Sequence, residues 1–245
     1  MCTVSWLPAA DGYHLFTNRD ERLTRAPALP AAARQADGVP FLAPLDGEAA
    51  GTWVLVNAFG LTVTLLNRWG VPGDVEPTES RSRGLLALDL ASAPGIAEAA
   101  ARLTPARLAV TRPCTLVLVA PGRPAWIGSW DGRALAVTSE AEAGFLRSSS
   151  SVTEPEVLAS RRALFATLAP VTAVGLAALH RSHAPARGRL SVCMHRDDAA
   201  TQAFTRIEVT PTEVRMLHTP GAPCVAAPAP LLTLARVPLP SPVPA

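Results

Sequence analysis

Apolar and polar residues alternate through Cys2-Thr3-Val4-Ser5-Trp6, and again from Tyr13 to Glu21 after Asp11-Gly12. A period of two on each side of a turn dipeptide predicts an N-terminal β-hairpin. Thr52 to Asn57 and Leu61 to Leu66 are rich in Val, Leu and Thr and flank Phe59-Gly60, which predicts a second hairpin ending at Asn67. Residues 68–81 carry Gly, Pro and charge without periodicity, the pattern of a loop lying over a site. Helices are predicted over 84–92, 94–103, 154–168 and 171–181. Strands are predicted over 115–120, 124–130, 133–138, 190–195, 203–209 and 213–218, with a two-residue type I′ turn at Asp131-Gly132. Grouping helices apart from antiparallel strands in this way fits an α+β sandwich.

At 245 residues with 49% apolar content, no internal repeat and no linker, the chain is expected to form one domain over 1–225. The Ala/Pro-rich segment 226–245 is expected to be an extended or disordered tail. All basic residues are arginine, and Ala and Pro abound, which reads as the codon bias of a GC-rich bacterial genome. A net charge of +2 with no basic stripe excludes nucleic acid as the expected partner. No apolar run reaches the roughly 18 residues of a membrane span, and no secretory signal precedes the first strand, so a cytoplasmic protein is expected. Cys2, Cys114, Cys193 and Cys224 are widely spaced, which reads as free thiols and not as a disulfide frame or zinc site. His14, His180, His183 and His218 show no paired spacing for a metal, and no metal site is expected.

The candidate chemistry starts at Cys2. Removal of Met1 would place an α-amine, with an ordinary pKa of about 7.7–8.0, on the residue that carries a thiol of about 8.5. One residue then holds both base and nucleophile. The hairpin returns Asn18-Arg19-Asp20-Glu21 toward Cys2, where Arg19 could bind a substrate anion and lower the thiol pKa, and Asp20 could orient the amine.

Cys2 with Asn18-Arg19-Asp20-Glu21, Gly51-Thr52-Trp53 and the run from Asn57 to Asn67 resembles the NRDE family, the relatives of the transport and Golgi organisation protein. Ser82-Arg83-Gly84-Leu85-Leu86 extends the resemblance, and Ser191 to His195 does so more weakly. The same regions are similar to the cysteine acylases of the penicillin V acylase and bile salt hydrolase type. That likeness implies a four-layer αββα sandwich of the N-terminal-nucleophile hydrolase type, with Asn67 donating to an oxyanion. Two departures stand out. The acylases read Arg-Asn-x-Asp where this chain reads Asn18-Arg19-Asp20, and Ser148 to Ser151 occupies the place of a second oxyanion-region Asn.

The expected catalytic set is Cys2, Arg19, Asp20 and Asn67, with Asn18, Arg83, Trp69 and Ser149 binding substrate. Arg83 would act as an anion binder at a helix start, and Trp69 as a wall of an apolar pocket. The resulting expectation is a hydrolase of linear amides such as N-acyl conjugates, with no cofactor. The resemblance also implies an alternative on the same fold: a carrier of haem or acyl lipid in which Cys2 is a ligand or a relic. Cys193 and His195, two apart on the expected strand 190–195, share one face with a spacing that would suit an axial ligand to haem, although core packing is the ordinary role of such residues on a strand.

Overall fold

The computed structural model describes residues 2–70, 80–141, 144–227 and 230–238. The N-terminal hairpin forms as its alternation requires. β1 (Cys2–Ala9) pairs antiparallel with β2 (Gly12–Arg22), Cys2 opposite Arg19. On its other side β1 pairs with β10 (Phe145–Ser149), Cys2 opposite Ser149. β11 (Ala199–Val209), β12 (Glu213–Pro220) and β13 (Leu231–Ala235) complete a six-stranded sheet in the order β10-β1-β2-β11-β12-β13. Gly12 permits that order, because a Cβ there would lie 1.8 Å from the Val209 carbonyl oxygen.

The second sheet runs in chain order. It comprises β3 (Leu29–Ala36), β4 (Val39–Leu45), β5 (Val54–Asn57), β6 (Thr62–Asn67), β7 (Cys114–Val119), β8 (Ala125–Trp130) and β9 (Leu135–Glu140). Residues of period two sort the layers. Cys2, Val4, Trp6, Tyr13 and Leu15 point inward and meet Trp53, Val54, Val56, Leu66 and Val117 of the facing sheet. The opposite face of the second sheet offers Leu55, Val63, Leu65 and Leu116 to α1 (Arg83–Leu88), α2 (Ile96–Ala101) and α3 (Pro105–Ala109). The opposite face of the first sheet offers Phe16, Leu146 and Phe204 to α4 (Glu154–Ala166) and α5 (Ala173–Arg181). Helix, sheet, sheet, helix is the expected αββα sandwich.

Four local readings change. β3 and β4 carry no sequence signal: three prolines and a run of alanines hide the alternation, although Asp37 and Gly38, with φ of 48° and 76°, make a two-residue turn between Ala36 and Val39. At Asp131-Gly132 the loop has four residues, because Asp131 Oδ1 accepts from the Arg133 and Ala134 N–H groups and holds a wider turn. Residues 190–195 do not form a strand. The place beside β2 is filled by β11, and the segment instead sends Cys193 N–H to the Ser182 carbonyl and Met194 N–H to Thr201 Oγ1. Within the segment assigned to the tail, Leu231–Ala235 adds to the sheet edge beside β12. Most of the loop expected over the site, residues 71–79, lies outside the described residues.

Candidate active site

Cys2 lies at the first position of a central strand, so its thiol projects between the sheets at their open end. It opens on a cleft of about 120 Å³ lined by Arg19, Asp20, Trp53, Asn67 and Arg83, among others. Asp20, Glu21, Arg25, Asn67 and Arg83 also line an adjoining chamber of about 630 Å³, whose far wall includes Trp69, Arg112 and Arg196. The two chambers therefore share a boundary. Asn67 stands there because β6 ends at it, one residue after buried Leu66.

The backbone nitrogen of Cys2 donates to Ser149 Oγ at 3.3 Å, a contact that follows from the Cys2–Ser149 register. Burial pushes the Cys2 thiol up; the carboxylates of Asp20 and Glu21 add to that shift and Arg19 acts against it. Arg19 thus pulls the thiol down as expected, but desolvation dominates and the net shift is upward. Arg19 itself shares the inward face with Cys2 and is clamped there. Its Nη2 donates to Asp46 Oδ2 at 2.5 Å and its guanidinium lies 4.6 Å from the centre of the Trp53 ring.

Asp46 also accepts from Arg25 and from the Ala49 N–H. Desolvation would raise its pKa, but the Arg25 hydrogen bond, the Ala49 N–H and the Arg19 charge outweigh it and hold the carboxyl at about 2. A permanently ionised Asp46 thus neutralises part of the Arg19 charge. Neither Asp46 nor Arg25 was singled out from sequence, since Leu45-Asp46-Gly47 reads as an ordinary turn.

Asp20 alternates to the other face of β2 and reaches the cleft from behind. Its Oδ1 accepts from Thr201 Oγ1 at 2.7 Å, and its Oδ2 lies 3.4 Å from Arg161 Nη2 in a fully buried ion pair. Burial pushes the Asp20 carboxyl up, opposed by Arg161. Arg161 also donates to Thr3 Oγ1 at 2.5 Å and to Ser148 Oγ at 2.8 Å, so one side chain ties α4 to β1, β2 and β10. The one available signal for Arg161 is its spacing with Val157, Leu164 and Leu168, which puts a cation on the apolar stripe of a helix.

Asn18 is corrected. It is fully buried on the helix side, donates to the His180 and Val192 carbonyls and meets His180 Nδ1 at 3.0 Å, so it fixes α5 and does not line the cleft. The strand period separates it from Cys2, since Asn18 pairs with Thr3. Arg83 opens α1 and lines both chambers, donating to the Pro113 carbonyl and lying 5.5 Å from the Trp69 ring centre. Charged and polar side chains dominate these walls, so the apolar pocket expected around Trp69 is reduced, apart from the Cys2 thiol, to Trp53, Leu65, Trp69, Val152 and Ala199.

Elsewhere His183, Cys193, His195 and Cys224 converge, with one potential ligand atom from each within 4.8 Å of all the others. Sequence spacing gave no sign of this, because three separate segments supply the four residues.

Residues 1–118 match the family model described as Transport and Golgi organisation 2, in agreement with the resemblance read from Cys2 and Asn18-Arg19-Asp20-Glu21. No curated protein matches the chain at a significant level. Among solved structures, the N-acylethanolamine-hydrolyzing acid amidase ortholog of Caenorhabditis elegans superposes with a TM-score of 0.63 at 12% identity, covering 84% of this chain and 92% of that one. Penicillin V acylase from Agrobacterium tumefaciens superposes with a TM-score of 0.53 at 11% identity, covering 90% and 83%. The C2A mutant of conjugated bile acid hydrolase from Clostridium perfringens gives 0.50 at 12% identity, covering 90% and 89%. These likenesses establish the N-terminal-nucleophile hydrolase fold.

Proposed function

We propose that this chain, whose first 118 residues match the Transport and Golgi organisation 2 family and whose fold is that of the N-terminal-nucleophile hydrolases, is a cysteine amidohydrolase of N-acyl conjugates. The observation that carries the proposal is the meeting of the Cys2 thiol and Asn67 on one cleft, with the Cys2 nitrogen fixed by Ser149. Loss of Met1 turns that nitrogen into an α-amine. A raised thiol pKa makes such a base necessary, because little thiolate forms unaided at neutral pH.

In the proposed reaction the neutral amine takes the Sγ proton and the thiolate adds to the amide carbonyl. Asn67 donates to the oxyanion, a contribution of about 3–4 kcal/mol for one well-placed donor. The C–N bond breaks as the ammonium returns its proton to the leaving nitrogen, leaving a thioester. Water, deprotonated by the amine, then releases the acyl group as a carboxylic acid and restores the thiol. Asp20, held by Arg161 and Thr201, supplies negative charge beside the ammonium. Arg83, backed by Trp69, offers its guanidinium to a substrate carboxylate.

The mixed charge of both chambers supports a polar amide substrate over haem or an acyl lipid carried on the same fold. A cytoplasmic site of action belongs to this proposal; no helix among the described residues is long and apolar enough to cross a membrane. The test pairs intact-mass measurement with a panel of N-acyl amino acids. Mature protein is expected to lack Met1, and Cys2→Ala is expected to lose turnover while retaining substrate binding. Retained Met1 with no Cys2-dependent hydrolysis, and equal stoichiometric binding of haem or an acyl lipid by both proteins, would overturn the proposal.

A further inference from the structure

The chain between α5 and β11 lacks regular structure, yet its backbone is held closely. Cys193 N–H donates to the Ser182 carbonyl, and His195 pairs across to Ala200. This path carries Cys193 and His195 against His183, just beyond the end of α5, and against Cys224, in the turn that follows β12. Cys193 Sγ and Cys224 Sγ each lie 3.5 Å from His195 Nε2. The His183 and His195 rings stand 5.1 Å apart at 69°, and His183 Nε2 is buried without a hydrogen-bond partner.

We propose that His183, Cys193, His195 and Cys224 form a closed tetrahedral zinc site. Zinc–sulfur bonds of about 2.3 Å and zinc–nitrogen bonds of about 2.0–2.1 Å at tetrahedral angles place neighbouring ligand atoms roughly 3.3–3.8 Å apart. The two sulfur–nitrogen separations of 3.5 Å fall within that range, and all four ligand atoms lie within 4.8 Å of one another, so closure needs small side-chain shifts only. Two thiolates and two neutral imidazoles make a neutral centre with Zn²⁺, suited to a partly buried place, and binding releases two thiol protons to solvent. Ligation through His195 Nε2 leaves the ring proton on Nδ1. Arg187, whose Nη2 lies 3.3 Å from that atom on the exposed side, then turns to water.

Four protein ligands leave no open position, so the role is structural. Haem iron, with four of its positions filled by the porphyrin, would accept at most two of these four ligands. The metal would tie α5, the 188–196 segment and the chain beyond β12 into one unit. That unit reaches the active cleft through Thr201, whose hydroxyl accepts from Met194 N–H and donates to Asp20 Oδ1.

Full-length protein purified under reducing conditions is expected to hold one zinc per chain, measured by elemental mass spectrometry after dialysis. Cobalt substitution is expected to give the visible bands of a tetrahedral centre and a thiolate charge-transfer band. Cys224→Ser, chosen because Cys224 sits outside the strands and helices, is expected to lose metal on dialysis, while Cys2→Ala keeps it. A chelator is expected to lower the Tm of the parent protein and leave that of Cys224→Ser unchanged. Reduced, folded protein that retains no zinc or cobalt, or an octahedral cobalt spectrum unchanged in Cys224→Ser, would overturn the site. So would a mass lighter by two hydrogens that persists under reduction and marks a Cys193–Cys224 disulfide. None of these readouts depends on hydrolysis, so the metal site and the proposed function fail separately.

Discussion

Replacing Arg161 with methionine removes the cation from a buried ion pair and leaves a flexible apolar side chain in its place. Both partners are 0% exposed, and the loss also strips hydrogen bonds from Thr3 and Ser148. Removing one member of a buried pair costs about 3–5 kcal/mol, because the other charge stays behind without its partner. In a chain of this size that lowers Tm by roughly 6–20 °C. The cost must depend on pH. The Asp20 carboxyl is already raised from its ordinary value of 3.8 by burial against the pull of Arg161, and the variant raises it further. The native state of the variant then binds more protons than the unfolded chain above that value, so its stability falls as pH rises through that range and returns on acidification. Urea denaturation of parent and variant is expected to show a smaller difference near pH 5 than near pH 8. Asp20→Asn combined with Arg161→Met is expected to be more stable than Arg161→Met alone and to lose the pH dependence. A cost below about 1 kcal/mol, or one that does not change with pH, would refute the account of Asp20 as a charge held by Arg161.

His180 and His218 are held neutral by burial, with pKa values pushed down from 6.5 to about 3 and about 4; Arg161 adds to the first shift and Arg19 to the second. The unfolded chain takes up their protons below 6.5, so stability is expected to fall on acidification from about pH 6.5 to 4, by about 1.4 kcal/mol per pH unit for each histidine. His218→Gln, measured by urea titration across that range, is expected to make the decline shallower. Gly51→Ala is expected to cost about 1–3 kcal/mol and to reduce turnover, since its Cβ would lie 2.5 Å from the Gly84 carbonyl carbon and push α1, with Arg83, off the cleft wall. Thermal unfolding and an activity assay check both outcomes, and an unchanged Tm would refute the close approach.

Alternation of period two was enough to define β1 and β2 and to bring Arg19 and Asp20 back toward Cys2, but the turn falls at Ala10-Asp11, one residue before the Asp11-Gly12 read from the sequence, and that register sets Arg19 opposite Cys2. The same period, read one residue to either side, assigns Asn18 and Asp20 to the helix face; their separate fates depend on where the strand ends. Asn18 is covered by α5 and Val192, whereas Asp20 lies close enough to the sheet edge to line the cleft. Asn67 was legible for a similar reason, as the polar residue closing an apolar strand.

The tertiary structure alone decided what depends on distant segments. Arg19 reads from sequence as an anion binder, but the turn at Asp46 neutralises part of its charge, and the partner that α4 gives Arg161, Asp20 on β2, lies 141 residues away in the chain. The convergence of His183, Cys193, His195 and Cys224 has no sequence period at all, since β11 and β12 lie between the first three and the last. Local periodicity reports which face a side chain takes, because backbone geometry repeats over two or about 3.6 residues. Which partners meet across that face is set by the packing of sheets and helices far apart in the chain, and the pKa values and ligand geometry follow from those meetings.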